Sequence, residues 1–241
     1  MTREIAVSLL RQILTVGEKA AGGLLDRLSG KPWRTNRVHK RAMLFFLCKA
    51  LKSYRAMGLL LDGGYPEDAR IIGRSIYELR LQALYLAGEP EERAKQFAVH
   101  ESKAAWRSLR RFATSGKVRG LRIEGALQTG IDPRQVREGD WWGDGGTRAL
   151  ARKAGLEAEY DITHWLLSGY VHSSPRVLFR YWKNEKGRIQ LLHRPGDAQD
   201  AATAQDATKW LLEIVLCSAR ALDLEYEEEL AAAANALKEL R

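Results

Sequence analysis

Four polar side chains, Tyr160, His164, Ser168 and His172, stand four residues apart. On a helix that spacing puts them in one stripe. Imidazole changes charge near neutral pH without help, so His172 is a candidate general acid or base. The fourteen residues from Ile162 to Pro175 contain no Asp, Glu, Lys or Arg. A stretch without charge but rich in hydrogen-bonding groups suits an interior or a pocket wall. A second stripe, Arg70, Arg74, Glu78 and Gln82, keeps the same strict spacing. Arg74 and Glu78 can pair along their helix, and Arg74 can stabilise a developing negative charge. Equally, the pair can be a structural ion pair that pins helices together. Three roles stay open for His172. It can be an acid/base group working with Arg74. It can ligate a metal with His164, for which a spacing of eight and no nearby acid is poor. It can also be a core histidine bridging two helices. Ser168 beside His172 invites a nucleophile–base pair, though spacing alone carries little weight.

The elements that must position these stripes are mostly helical. Apolar spacing predicts helices over about 5–29, 38–61, 67–87, 91–113, 147–153, 157–171, 198–222 and 225–240. Asp62-Gly-Gly-Tyr-Pro66 and Gly88-Glu-Pro90 are breaks between them. Ile72, Ile76, Leu79, Ala83 and Leu86 form a core seam on the third helix, while Ile162, Leu166 and Gly169 are expected to face the core from the sixth. The stretch 115–146 holds eight glycines and reads as a long excursion. Trp141-Trp142 within it is expected to pack the loop onto the body, although such a pair can also stack on a base. Residues 177–183 and 188–192 are β-prone runs around Asn184-Glu-Lys-Gly187, a hairpin over 177–192. The expected fold is all-α, a multi-helix bundle with a small β-hairpin insertion, as a single domain over 1–241.

Composition sets outer limits. The chain has 241 residues, 45% of them hydrophobic and 29% charged, a normal globular balance. No apolar run approaches the ~20 residues of a membrane span, and the first residues carry no signal-peptide pattern. A soluble cytoplasmic protein is expected, without a membrane partner. Two cysteines, Cys48 and Cys217, make neither a disulfide framework nor a zinc site. No cofactor motif is present, so neither a metal nor a cofactor is expected. The net charge of +9 divides into +13 for residues 1–122 and −4 for the remainder. Two windows contain bases and no acid. One includes Arg34, Arg37, Lys40, Arg41, Lys49 and Lys52; the other includes Lys103, Arg107, Arg110 and Arg111. Such faces attract RNA or another polyanion by releasing counterions. They can also be solvated surface, or partners for the acidic run Asp223–Glu229.

Ala69-Arg-Ile-Ile-Gly-Arg74-Ser-Ile-Tyr-Glu78, followed by Tyr160-x7-Ser168-x3-His172, resembles a prokaryotic family of helical proteins of unknown function. In that family an Arg-Ser-x-x-Glu helix recurs with a Ser-x-x-x-His helix end. The resemblance covers roughly residues 40–220 and implies an all-α bundle in which the two stripes face each other. It implies Arg74, Glu78, Tyr160, Ser168 and His172 as the site. The bundle is also distantly similar to HEPN-type domains, which include dimeric metal-independent ribonucleases of toxin–antitoxin, CRISPR and phage-defence systems. Their Arg-x4–6-His signature is matched by Arg34/His39, Arg93/His100 and Arg188/His193. The function expected is that of a nucleic-acid-linked defence or toxin-type protein, with ribonuclease activity and a homodimer or protein partner as open questions. A non-catalytic helical interaction module and a binder of a small anionic ligand are the alternatives.

Overall fold

A computed structural model describes residues 3–29, 37–100, 141–172, 174–186, 188–191 and 200–240. The elements are α1 (Arg3–Leu28), α2 (Val38–Asp62), α3 (Pro66–Gly88), α4 (90–100 of the described residues), α5 (Gly146–Lys153) and α6 (Glu157–Val171). A 3-10 turn (Pro175–Arg180) then leads into β1 (Trp182–Glu185) and β2 (Arg188–Leu191), followed by α7 (Ala201–Ala221) and α8 (Glu227–Glu239). The protein is an all-α bundle with one small antiparallel hairpin, in which Trp182 pairs with Leu191 and Glu185 with Arg188.

The local sequence explains where the helices stop. At the end of α2, Gly64 takes φ +80°, open to glycine at no cost, and Tyr65 N–H donates back to the Leu60 carbonyl at 2.8 Å. Pro66 then starts α3 at a position that needs no N–H, and Glu67 and Asp68 meet its positive dipole end. Asp200 caps α7 by accepting from Thr203 N–H at 3.1 Å.

α7 is the central helix, packed against α1, α2 and α3. Its inward face is Ala204, Ala207, Thr208, Leu211, Ile214 and Val215, small residues first and branched ones after, all fully buried. Three helices meet at Tyr54, whose buried hydroxyl lies 2.5 Å from Thr208 Oγ1 and donates to the Ile13 carbonyl at 3.3 Å. Gly17 makes that crossing possible, because a Cβ there would stand 2.7 Å from the Tyr54 oxygen. α6 lies against α3, and α5 touches both.

Two expectations are corrected. Residues 177–180 do not extend the hairpin. Pro175 turns the chain, Val177 N–H donates to the Ser174 carbonyl at 3.0 Å, and a 3-10 turn forms before the strand opens at Trp182. The hairpin therefore opens at Trp182, not at Val177, and its described strands run to Leu191. On α6, Ile162 and Leu166 do not face the core. They are 66% and 51% exposed, and Tyr160, Leu167 and Gly169 are the buried positions. Trp141 does pack inward, against Tyr85 and Phe97 at ring centroid distances of 5.3 and 5.2 Å. Most of the excursion, residues 115–140, lies outside the described residues.

Candidate functional site

The two stripes meet where α3 crosses α6. Arg74 Nε donates to Glu78 Oε1 at 2.8 Å, and Arg74 Nη1 reaches His172 Nε2 at 3.4 Å. An arginine can only donate, so this contact requires the His172 tautomer with its proton on Nδ1. His172 follows the last residue of α6, and its own N–H donates to the Ser168 carbonyl at 3.0 Å. That short cap leaves the imidazole exposed at the rim, while Arg74 is mostly covered beneath it.

One turn back, His164 is held between the residues four before and four after it. Tyr160 stacks on the ring at 4.6 Å. Ser168 Oγ lies 3.2 Å from Nδ1 and 3.3 Å from Nε2. In the ring plane, equal distances to both nitrogens would drive the oxygen into Cε1, so the hydroxyl sits over the ring face. It is not aligned with a lone pair, and Ser168 is not set up as a nucleophile deprotonated by His164. Burial holds the His164 pKa below the ordinary value, the charge of Arg74 pushes it the same way, and Glu78 opposes them. His164 is therefore neutral at neutral pH. Burial raises the Tyr160 pKa, against Arg74 and a hydrogen bond to Thr147 from α5.

The frame around this cluster comes from two further arginines of α3. Arg80 is 5% exposed. Its Nη1 donates to Glu159 of α6 at 2.5 Å and its Nε to Glu213 of α7 at 2.7 Å. Arg70 donates through Nε to Asp200 at 2.6 Å and through Nη1 to the Tyr170 hydroxyl, with its guanidinium 4.7 Å above the Tyr170 ring. Each arginine thus ties one end of α6 to α7. Arg74, between them, hydrogen-bonds to Glu78 of its own helix and to His172 at the C-cap of α6. Below, Tyr77 lies under Tyr160 at 6.4 Å and beside Trp210 at 5.1 Å, with its buried hydroxyl lacking a hydrogen-bond partner among the described residues.

All five residues expected at the site, Arg74, Glu78, Tyr160, Ser168 and His172, are brought together. His164 joins them; it stood in the stripe, but its neutral state rests first on burial and then on the charge of Arg74, neither of which the local sequence places. Arg80 was missed. Leu79-Arg80-Leu81 is a cation flanked by apolar residues, which hints at burial, but Glu159 and Glu213 lie 79 and 133 residues away.

The basic residues divide differently. Arg34, Lys103, Arg107, Arg110 and Arg111 lie outside the described residues. Lys40 is turned to Asp223 at 2.5 Å, the acidic-run pairing, and Arg27 likewise meets Glu229. Arg37 and Arg41 are exposed. Of the Arg–His matches, Arg93 is engaged by Glu89 and the Tyr85 carbonyl, and His100 Nδ1 is buried without a hydrogen-bond partner among the described residues. His39 Nδ1 approaches Glu91 at 3.0 Å but off hydrogen-bond alignment. Among the described residues, no three His, Cys, Asp or Glu side chains are grouped to hold a metal, and no helix is long and apolar enough to cross a membrane. A groove of about 740 Å³ between α1 and α8, lined by Val7, Arg11, Gln12 and Leu240 among others, shares no residue with the cluster.

No curated protein and no solved structure matches the chain. The model of a family of unknown function (DUF5677) matches residues 40–189. The match runs from the first turn of α2 into β2, so it contains every residue of the Arg74–His172 cluster. It ends before α7, short of the 220 or so expected from the motifs. Covering more than half of the chain, it shows that the protein belongs to this family of unknown function.

Proposed function

We propose that the α3–α6 cluster is an acid–base site for phosphodiester cleavage in RNA, which makes the protein a ribonuclease of the defence or toxin type. The observation that carries the reading is the contact of Arg74 with exposed His172 beside a neutral His164. His164 accepts the proton of a ribose 2′-hydroxyl as that oxygen bonds to phosphorus. As Arg74 turns from His172 Nε2 to the phosphate, that nitrogen is freed to take up a proton from solvent, and His172 passes it to the leaving oxygen as the P–O5′ bond breaks. Arg74 donates to the non-bridging oxygens, where charge builds up, and Glu78 orients it. The products are a 2′,3′-cyclic phosphate and a 5′-hydroxyl, with atoms and protons balanced.

The test is single-turnover cleavage of an end-labelled RNA with product ends identified. His172→Ala and Arg74→Gln should each lower the rate by about a hundredfold or more, with an unchanged helical melting transition. Expression of the wild-type chain should slow growth, and His172→Ala should relieve it. No cleavage, or cleavage indifferent to His172→Ala, removes the reading. A second reading, a helical interaction module in which the cluster is structural, is favoured by the exposed Ile162, Trp165 and Leu166 next to the site. It predicts no cleavage, and a melting temperature lowered by Arg74→Gln.

A further inference from the structure

The acid-free window of α2 resolves into two kinds of cation. Lys40 is turned to Asp223 at 2.5 Å and Arg55 to Glu18 at 2.9 Å, so both are neutralised within the fold. Arg41, Lys49 and Lys52 are exposed and make no ion pair among the described residues. They recur with Phe45 at spacings of four, four and three, which places all four side chains on one face of α2. Phe45 is 50% exposed in the middle of the row. Its covered side rests on Phe46 at 5.7 Å and Phe97 of α4 at 6.2 Å, so the ring is held from beneath. α2 has no acid before Asp62 at its last position.

A half-exposed phenylalanine among three unpaired cations is an unusual expenditure for a solvated helix face, because the ring needs no water and the charges repel one another. Both features suit one occupant. Phosphates neutralise the cations and release counterions, and a base stacks on the open side of the ring. Four residues of helix rise by about 6 Å, the scale of one extended nucleotide. A duplex hides its base faces, so Phe45 selects an unpaired strand. We infer that the Arg41–Phe45–Lys49–Lys52 face of α2 binds single-stranded nucleic acid. This face shares no residue with the Arg74–His172 cluster, and binding is measured without cleavage, so either reading can fail alone.

The experiment is fluorescence anisotropy of a labelled short oligouridylate, whose 2′-oxygens are methylated to prevent cleavage, titrated with the full chain. The log of affinity should fall against the log of salt concentration, and the triple variant R41Q/K49Q/K52Q should flatten that slope by about 2. The triple variant should bind at least about tenfold more weakly at low salt, while K49R/K52R stays near wild type. Phe45→Ala should weaken binding about fivefold or more and leave the salt slope unchanged. Far-ultraviolet circular dichroism checks that each variant is folded. No binding, or equal affinity in the folded triple variant, overturns the inference. So does a blunt duplex or an oligoglutamate that binds as tightly as the single strand.

Discussion

At the scale of single residues, the cluster combines one cation that cannot titrate with two imidazoles that can. His164 is the informative one. The unfolded chain titrates this histidine near 6.5, and the folded value is lower. As the pH falls, the unfolded state therefore takes up the proton first. The stability held by the neutral imidazole is complete above about pH 6.5 and is lost as the pH falls through the folded value. His164→Gln should thus flatten the decline in Tm between neutral and mildly acidic solution, and parallel Tm curves would contradict the assignment. Proton NMR should place the His164 titration below that of a free histidine, and Arg74→Gln should move it upward. The residue types and the two i+4 stripes were legible in the sequence, because helical spacing alone puts them on common faces. Their state was not. The hydroxyl over the ring and the aromatic beneath it come from α6 itself, but the burial and the Arg74 charge that hold the imidazole neutral come only when α6 packs on α3.

At the scale of elements, α6 is fastened at both ends by α3 and α7. The Arg80 network is the stronger fastening, since the guanidinium is buried while Glu159 and Glu213 keep part of their surface in water. This asymmetry predicts an order of damage. In Arg80→Met, the two carboxylates can turn outward, at a cost of about 2 kcal/mol, less than for a fully buried pair. In Glu159→Gln/Glu213→Gln the guanidinium stays buried with no counter-charge, at a cost of about 3–5 kcal/mol. Urea unfolding of the two variants measures the difference, and a less stable Arg80→Met would reverse the argument. Helix boundaries were readable to within a few residues because glycine and proline punctuate them, as at Gly64 and Pro66. The inward face of α6 was not readable. Ile162 and Leu166 are as apolar as Leu167, and periodicity cannot tell which of two apolar flanks meets the core. The β-prone side chains of 177–180 likewise could not show that Pro175 would bend the chain first.

At the scale of the whole molecule, the segment that defines the family is not the segment that completes the core. Residues 40–189 contain the cluster, yet the helix filling the space among α1, α2 and α3 is α7. A chain restricted to residues 40–189 should keep helical signal but lose its near-ultraviolet circular dichroism and cooperative urea unfolding. Sharp cooperative unfolding of that fragment would show that α7 is dispensable. The fastenings of α6 have a further consequence. Guanidinium groups keep their charge throughout the biochemical pH range, so above the carboxylate range the clamps at Arg70 and Arg80 are blind to acidity. Between them on α6, His164 is the group that responds. Acidification therefore changes the protonation of the cluster without loosening the frame that aims it: the reagent is tuned and the instrument holding it stays in calibration.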